Sequence, residues 1–238
     1  MTQPSVLPAR FRLAGVCCFA GVAIMVLGDA RAATRTEDKK LTPNPFHARL
    51  LEIARSYEPF GRVDDQSRWA PYYCRMPSPA AARFSASGDK NTHGLKLYSL
   101  FARDQRAYQA LSKTGQPAGQ VLVKQSWVPE PVKDAVQVLR PVVRQVRVSA
   151  GDAKRPARLV RDTFLPYARK DGRWYKAARQ ADLFIMYKLD PATAGTDNGW
   201  VYGTVTADGK QVTSAGKVAS CMKCHQKATS DRLFGLPK

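Results

Sequence analysis

Residues 120–127 read Gln-Val-Leu-Val-Lys-Gln-Ser-Trp, and their period of two decides the fold. Such alternation specifies a half-buried strand. It sends Val121, Val123, Gln125 and Trp127 to one face and Leu122, Lys124 and Ser126 to the other. Working outward, residues 182–189 (DLFIMYKL) and 199–206 (GWVYGTVT) read as strands separated by a loop with Pro191 and Asn198-Gly199. Residues 95–102 read as a strand and residues 104–111 as a short helix. Asp171-Gly172 and Asp208-Gly209 mark hairpin turns. Strands joined by short turns, with no βαβ alternation, predict an α+β fold: mainly antiparallel sheet with a few short helices. One of these helices opens the fold. Asn44 caps it, Pro45 takes its first position, and Phe46, Leu50, Ile53 and Tyr57 recur at helical spacing. It should end before Pro59 and Gly61, and residues 58–92 read as loop. The Pro-rich and β-rich segments disfavour a four-helix bundle.

The chain has 238 residues, 38 Lys and Arg against 19 Asp and Glu, and a formal charge of +19. Its balance of apolar and charged residues is globular, which excludes disordered, collagenous and disulfide-framework classes. Arg10 and Arg12 precede an uncharged apolar run over residues 13–28 and an Ala30-x-Ala32 site. That order predicts an export signal peptide over residues 1–32, too short in its apolar part to span a membrane. A single domain over residues 33–238 would remain, with a charge of +17 once three Arg and one Asp are removed. Cys17 and Cys18 would leave with the leader. Export and the motif below point to a bacterial periplasm.

Three cysteines remain: Cys74, Cys221 and Cys224. The last two stand in Cys221-Met222-Lys223-Cys224-His225, the C-x-x-C-H signature of c-type haem attachment. Two thiols at that spacing reach the two vinyl groups of one haem, and the adjacent histidine lies under the iron as its proximal ligand. A redox C-x-x-C wants a βαβ context, which is missing here. A short helix from about Val218 should carry the motif. None of the 13 residues after His225 is Met or His, unlike a small electron carrier with a downstream axial Met. A sixth ligand would come from His47, His93, Met76 or Met186; otherwise the position stays open for a ligand or substrate. A histidine in a Thr-His-Gly turn reads as plain loop for His93. His47 reads as exposed, Met186 as core, Cys74 as a buried free thiol or an intersubunit disulfide, and Trp127 and Trp200 as core or haem packing.

Gly119-Gln120-Val121-Leu122-Val123-Lys124, Gly199-Trp200-Val201-Tyr202 and the C-terminal CMKCH together resemble the cytochrome P-460 family. The stretch Thr92-His93-Gly94-Leu95-Lys96-Leu97-Tyr98 and the tail Asp231-Arg232-Leu233-Phe234 are similar to it as well. The resemblance implies a mono-haem c protein with a mainly β fold, a homodimer, and a five-coordinate iron that oxidises hydroxylamine. It also implies a lysine covalently joined to the porphyrin edge, which by position is Lys124. The family's distal carboxylate has no clear counterpart. Residues 161–167 offer only Asp162, which reads as a surface or hairpin residue. That departure leaves room for the β-fold cytochromes c′ of the same superfamily, which bind gases such as NO. Residues 140–179 carry twelve Lys and Arg against Asp152, Asp162 and Asp171. A basic face of this kind docks an acidic redox partner such as a soluble cytochrome, or attracts small anions. Export and the haem motif argue against nucleic acid.

Overall fold

The strand around Lys124 is longer than its alternation alone implies, and it stands at the centre of the fold. In the computed structural model, which describes residues 44–63, 80–88, 93–111, 115–133, 141–148, 158–228 and 230–235, it runs as β4, Val121–Val132. Before it come α1 (His47–Ser56), a 3-10 turn (Glu58–Phe60), β1 (Ala80–Ala81), β2 (Arg83–Phe84), β3 (Leu97–Ala102) and α2 (Gln105–Gln109). After it come β5 (Val142–Val148), β6 (Arg158–Leu165), β7 (Tyr167–Lys170), β8 (Arg173–Lys188), β9 (Trp200–Val205), β10 (Val212–Gly216) and α3 (Ala219–His225). The proposed leader, Cys74 and Met76 lie outside the described residues. Among those residues, no helix is long and apolar enough to cross a membrane.

Among the described residues the larger sheet runs β10-β9-β8-β4-β3-β2, with β7 also on β8, and every pairing in it is antiparallel. A smaller sheet has the order β1-β6-β5, and its β1–β6 pair is parallel. Register puts Lys124 opposite Leu100 of β3 and Phe184 of β8. The prolines at 129 and 131 do not end β4. Its pairing with β3 stops at Trp127, so among the described residues both prolines lie on an edge, where a missing N–H is tolerated. The Asp171-Gly172 turn has both residues at positive φ, 49° and 77°, and closes β7 onto β8 as expected of a D-G hairpin.

Alternation sorts the core into two faces. Val121, Val123, Leu183, Ile185 and Val201 pack with Leu50 and Ile53 of α1. Each of those two helix side chains contributes about 1.5–3 kcal/mol through burial. The helix lies so close that a Cβ at Gly203 would collide with Leu50. The cap of α1 differs from the sequence expectation: the helix starts at His47 with Phe46 at its N-cap and no side-chain cap, and Asn44 Oδ1 accepts the Phe46 N–H at 3.0 Å in the turn before it. Leu122, Met186, Trp200 and Tyr202 form the opposite face with Leu233, and Cys221 and Met222 of α3 pack against them. A register shift between Gln125 and Trp127 ends the strict alternation. Trp127 then joins a third cluster and stacks on Phe164 of β6 with ring centroids 5.9 Å apart. Asp162 stands within β6 opposite Arg144 of β5, in the antiparallel pair these two consecutive strands form.

Candidate functional site

A short helix turns the sequence motif into one surface. β10 ends at Gly216, whose φ of 96° suits glycine, and α3 follows after Lys217 and Val218. Cys221, Cys224 and His225 sit at i, i+3 and i+4 and therefore share a helix face. Both thiols are free and half-buried. Cys221 and His225 line a cleft against the second core face, with Leu100, Leu122, Phe184 and Met186 among its apolar walls. The cavity within the cleft measures about 150 Å³, below the ~300–1,000 Å³ of a typical ligand pocket. No Asp or Glu lines it among the described residues.

His225 is held from behind. Its Nδ1 lies 2.7 Å from the carbonyl oxygen of Arg232. A carbonyl only accepts, so Nδ1 carries the proton and Nε2 keeps its lone pair. Burial lowers the pKa of His225, the Arg232 hydrogen bond opposes that, and the charge on Lys124 adds to it. The carbonyl belongs to a pinned tail. Asp231 and Arg232 both have positive φ, 45° and 65°, which side chains other than glycine's adopt at a cost. Asp231 accepts from Lys188 Nζ at 2.6 Å, Trp200 Nε1 at 3.1 Å and the Gln116 N–H at 2.7 Å. The Arg232 guanidinium forks onto Asp197 at 2.9 and 3.1 Å, and the Tyr202 hydroxyl donates to the same carboxylate at 2.9 Å. Burial would raise the pKa of Asp197, but the bonds from Arg232 and Tyr202 outweigh it and hold the carboxyl below its ordinary value.

Lys124 enters the same cleft from β4. Its Nζ lies 2.9 Å from His93 Nδ1 and 3.3 Å from Ser85 Oγ, over the Tyr98 ring at 3.9 Å. Burial pushes its pKa down to about 7; Cys224 opposes the shift and Lys96 adds to it. Burial, then the charge on Lys124, takes His93 down to about 3. The His93 ring stands 5.3 Å from Phe184 and 6.4 Å from His225, centroid to centroid.

Thus Lys124, Cys221 and His225, all read from the sequence, line one cleft; Cys224 comes with them on α3. Met186 is core, as expected, and also a cleft wall. His47 is exposed on α1, away from the cleft lining. Trp200 is fully buried beside the cleft, whereas Trp127 packs elsewhere. The plain-loop reading of His93 is corrected: the turn carries its ring into the cleft. Sequence reasoning missed Ser85 and Asp197, which belong to no motif, and gave no role to Arg232, which it quoted only within the similar tail 231–234. Among the described residues, no three His, Cys, Asp or Glu side chains converge to hold a metal ion directly. No protein-family model matches the chain, and no curated protein matches its sequence.

Proposed function

We propose that the chain is an exported mono-haem c oxidoreductase of the cytochrome P-460 type, acting on hydroxylamine or a related small nitrogen species. The observation that carries this reading is the meeting of Lys124 with the Cys221–His225 motif in one apolar cleft. The residues present fit haem c. Two free thiols and an imidazole share a helix face, the imidazole offers Nε2, and the adjoining cleft is apolar. A tetrahedral zinc site is the poorer fit, because these groups do not converge on one point. Cys221 and Cys224 would hold the haem by thioethers and His225 would ligate its iron. Bound there, the haem would supply an iron with an open sixth position and a route for electrons.

The chain's own residues then act as follows. Lys124 stands at a pKa near 7, so a neutral amine is accessible at ordinary pH. Were haem bound, Lys124 would be placed to join its nitrogen to a porphyrin carbon, exchanging one N–H and one C–H for an N–C bond. That removes two protons and two electrons, which a peroxide accepts on reduction to water. Oxidation of NH2OH to HNO likewise releases two protons and two electrons. The electrons leave to an acidic soluble cytochrome drawn by the basic surface. The protein works in the periplasm as a homodimer in this reading.

A second reading, a gas-binding protein of the β-type cytochrome c′ kind, is favoured by the absence of a proton-relaying carboxylate from the cleft lining among the described residues. One comparison tests both. Haem-matured wild type should show the mass of one covalent haem, an additional bond at Lys124 and hydroxylamine turnover. Covalent haem with an unmodified Lys124 and no turnover would favour the gas binder.

A further inference from the structure

His225 is the C-terminal residue of a seven-residue helix, and α3 alone does little to fix its ring. What fixes it is one backbone oxygen, that of Arg232, at 2.7 Å. That oxygen sits in a backbone conformation that Asp231 and Arg232 adopt only when held. Two sets of contacts hold it. Lys188, Trp200 and the Gln116 N–H secure Asp231. The Asp197 carboxylate, itself nearly fully buried, takes both arms of the Arg232 guanidinium and the Tyr202 hydroxyl.

We infer that Asp197 and Arg232 form a clamp that positions His225, fixing its Nδ1–H tautomer and strengthening Nε2 as a donor to a haem iron. The inference rests on the haem reading above. A firm hydrogen bond from Nδ1–H gives the imidazole partial imidazolate character, and a more basic ligand favours the oxidised metal. Asp197 and Arg232 are positioning residues: neither needs to touch the haem. Arg is needed because its planar fork satisfies both carboxylate oxygens at once, which an ammonium does not.

The test uses the haem-loaded full chain with Asp197→Asn, Arg232→Gln and Arg232→Lys. All three should keep the mass of one covalent haem. In the first two, the iron–histidine stretching band of the reduced protein should fall in frequency and the reduction potential should rise. Arg232→Lys should lie between them and wild type. Asp208→Ala, an exposed control, should change neither. Haem-loaded Arg232→Gln with the wild-type band and potential overturns the clamp. If the clamp variants do not fold, Tyr202→Phe decides, since it removes only one hydroxyl donor from Asp197. A smaller shift in the same direction supports the clamp, and no shift overturns it. A wild type without covalent haem would sink the haem reading by itself. The clamp is then judged by 15N NMR of His225. An Nδ1-protonated ring that becomes a tautomer mixture in Arg232→Gln upholds it, and an unchanged ring overturns it.

Discussion

Two imidazoles face one cleft with ring centroids 6.4 Å apart, and they are held in opposite senses. His225 gives its Nδ1 proton to a carbonyl and keeps a lone pair on Nε2. His93 meets Lys124 through Nδ1 at 2.9 Å. While Lys124 is an ammonium it only donates, so His93 accepts at Nδ1 and carries its proton on Nε2. One ring leaves Nε2 with its lone pair and the other leaves Nε2 as a hydrogen-bond donor. The residue type is the same; the partner on Nδ1 decides the role. The largest expected effect lies on the His225 side. Cys221→Ala with Cys224→Ala should abolish covalent haem, because each thioether needs its own thiol. Haem remaining on the denatured double variant, seen by mass analysis, would remove the attachment reading and with it the ligand role of His225.

The next effect comes from the His93 side. Lys124→Leu fills the volume without a charge and should leave the fold intact. It should keep both thioethers, return the spectrum to that of ordinary haem c, and reduce hydroxylamine oxidation to background while NO still binds. It also takes away the ammonium that sets His93 as a donor. A low-spin spectrum that appears in Lys124→Leu and vanishes on adding His93→Ala would mean that His93 becomes a ligand once released. The comparison would then be sharpened into a switch. Wild type should be high-spin. A low-spin wild type converted by His93→Ala or Met186→Ala would instead break the comparison and indicate an electron carrier.

The two sides also differ in how much the sequence discloses. On the His225 side, the proposed attachment chemistry would force a fixed spacing, and three site residues stand within five positions of the chain. The strand of Lys124 was legible from its alternation, although residues 121–127 are buried on both faces except for the partly buried Lys124. The His93 side is legible only in part. The backbone at 93–95 is a turn, and nothing in Thr-His-Gly says which way the ring points. Its contacts, Lys124 and Ser85, lie 31 and 8 residues away. Asp197 and Arg232 are 35 residues apart and meet only because the β8–β9 loop and the C-terminal tail fold to the same end of the sheet. Long-range polar pairs leave no periodicity behind. β4 exceeds its alternating stretch for a related reason. Pro129 and Pro131 signal a stop locally, and only the absence of a β3 neighbour there makes them tolerable.

A pH profile separates the sides further, in the chain before haem attachment. Lys124 titrates near 7 when folded, against about 10.4 when unfolded. The unfolded chain thus binds more protons between these values, and stability should rise with pH through that window. The cost of the buried ammonium is fully present below pH 7 and amounts to a few kcal/mol. Asp197 acts with the same sign at the acid end of the scale. Its carboxyl is held below its ordinary value, so its stabilisation is present above about pH 4 and is lost on further acidification through the folded pKa. Urea denaturation should show the upper slope vanish in Lys124→Leu and the acid loss shrink in Asp197→Asn. An upper slope retained in Lys124→Leu would assign the buried charge to another group.

The smallest effect is expected at Ser85, and it tests which contact holds His93. Ser85 Oγ lies 3.3 Å from both Lys124 Nζ and His93 Nδ1, longer than the 2.9 Å between those two groups. Hydrogen bonds weaken at such lengths, and an ordinary one is worth about 0.5–1.5 kcal/mol net. The hydroxyl is also the only group lost in Ser85→Ala, since the backbone bond from the Ser85 N–H to the Lys96 carbonyl is untouched. Ser85→Ala should therefore cost about 1 kcal/mol or less in urea denaturation and leave the haem spectrum and hydroxylamine turnover at wild-type values. If it instead reproduced the spectrum of Lys124→Leu, the serine would be orienting the ring. The contrast between a histidine set by a carbonyl and one set by an amine would then fail on the His93 side, while the His225 side would stand.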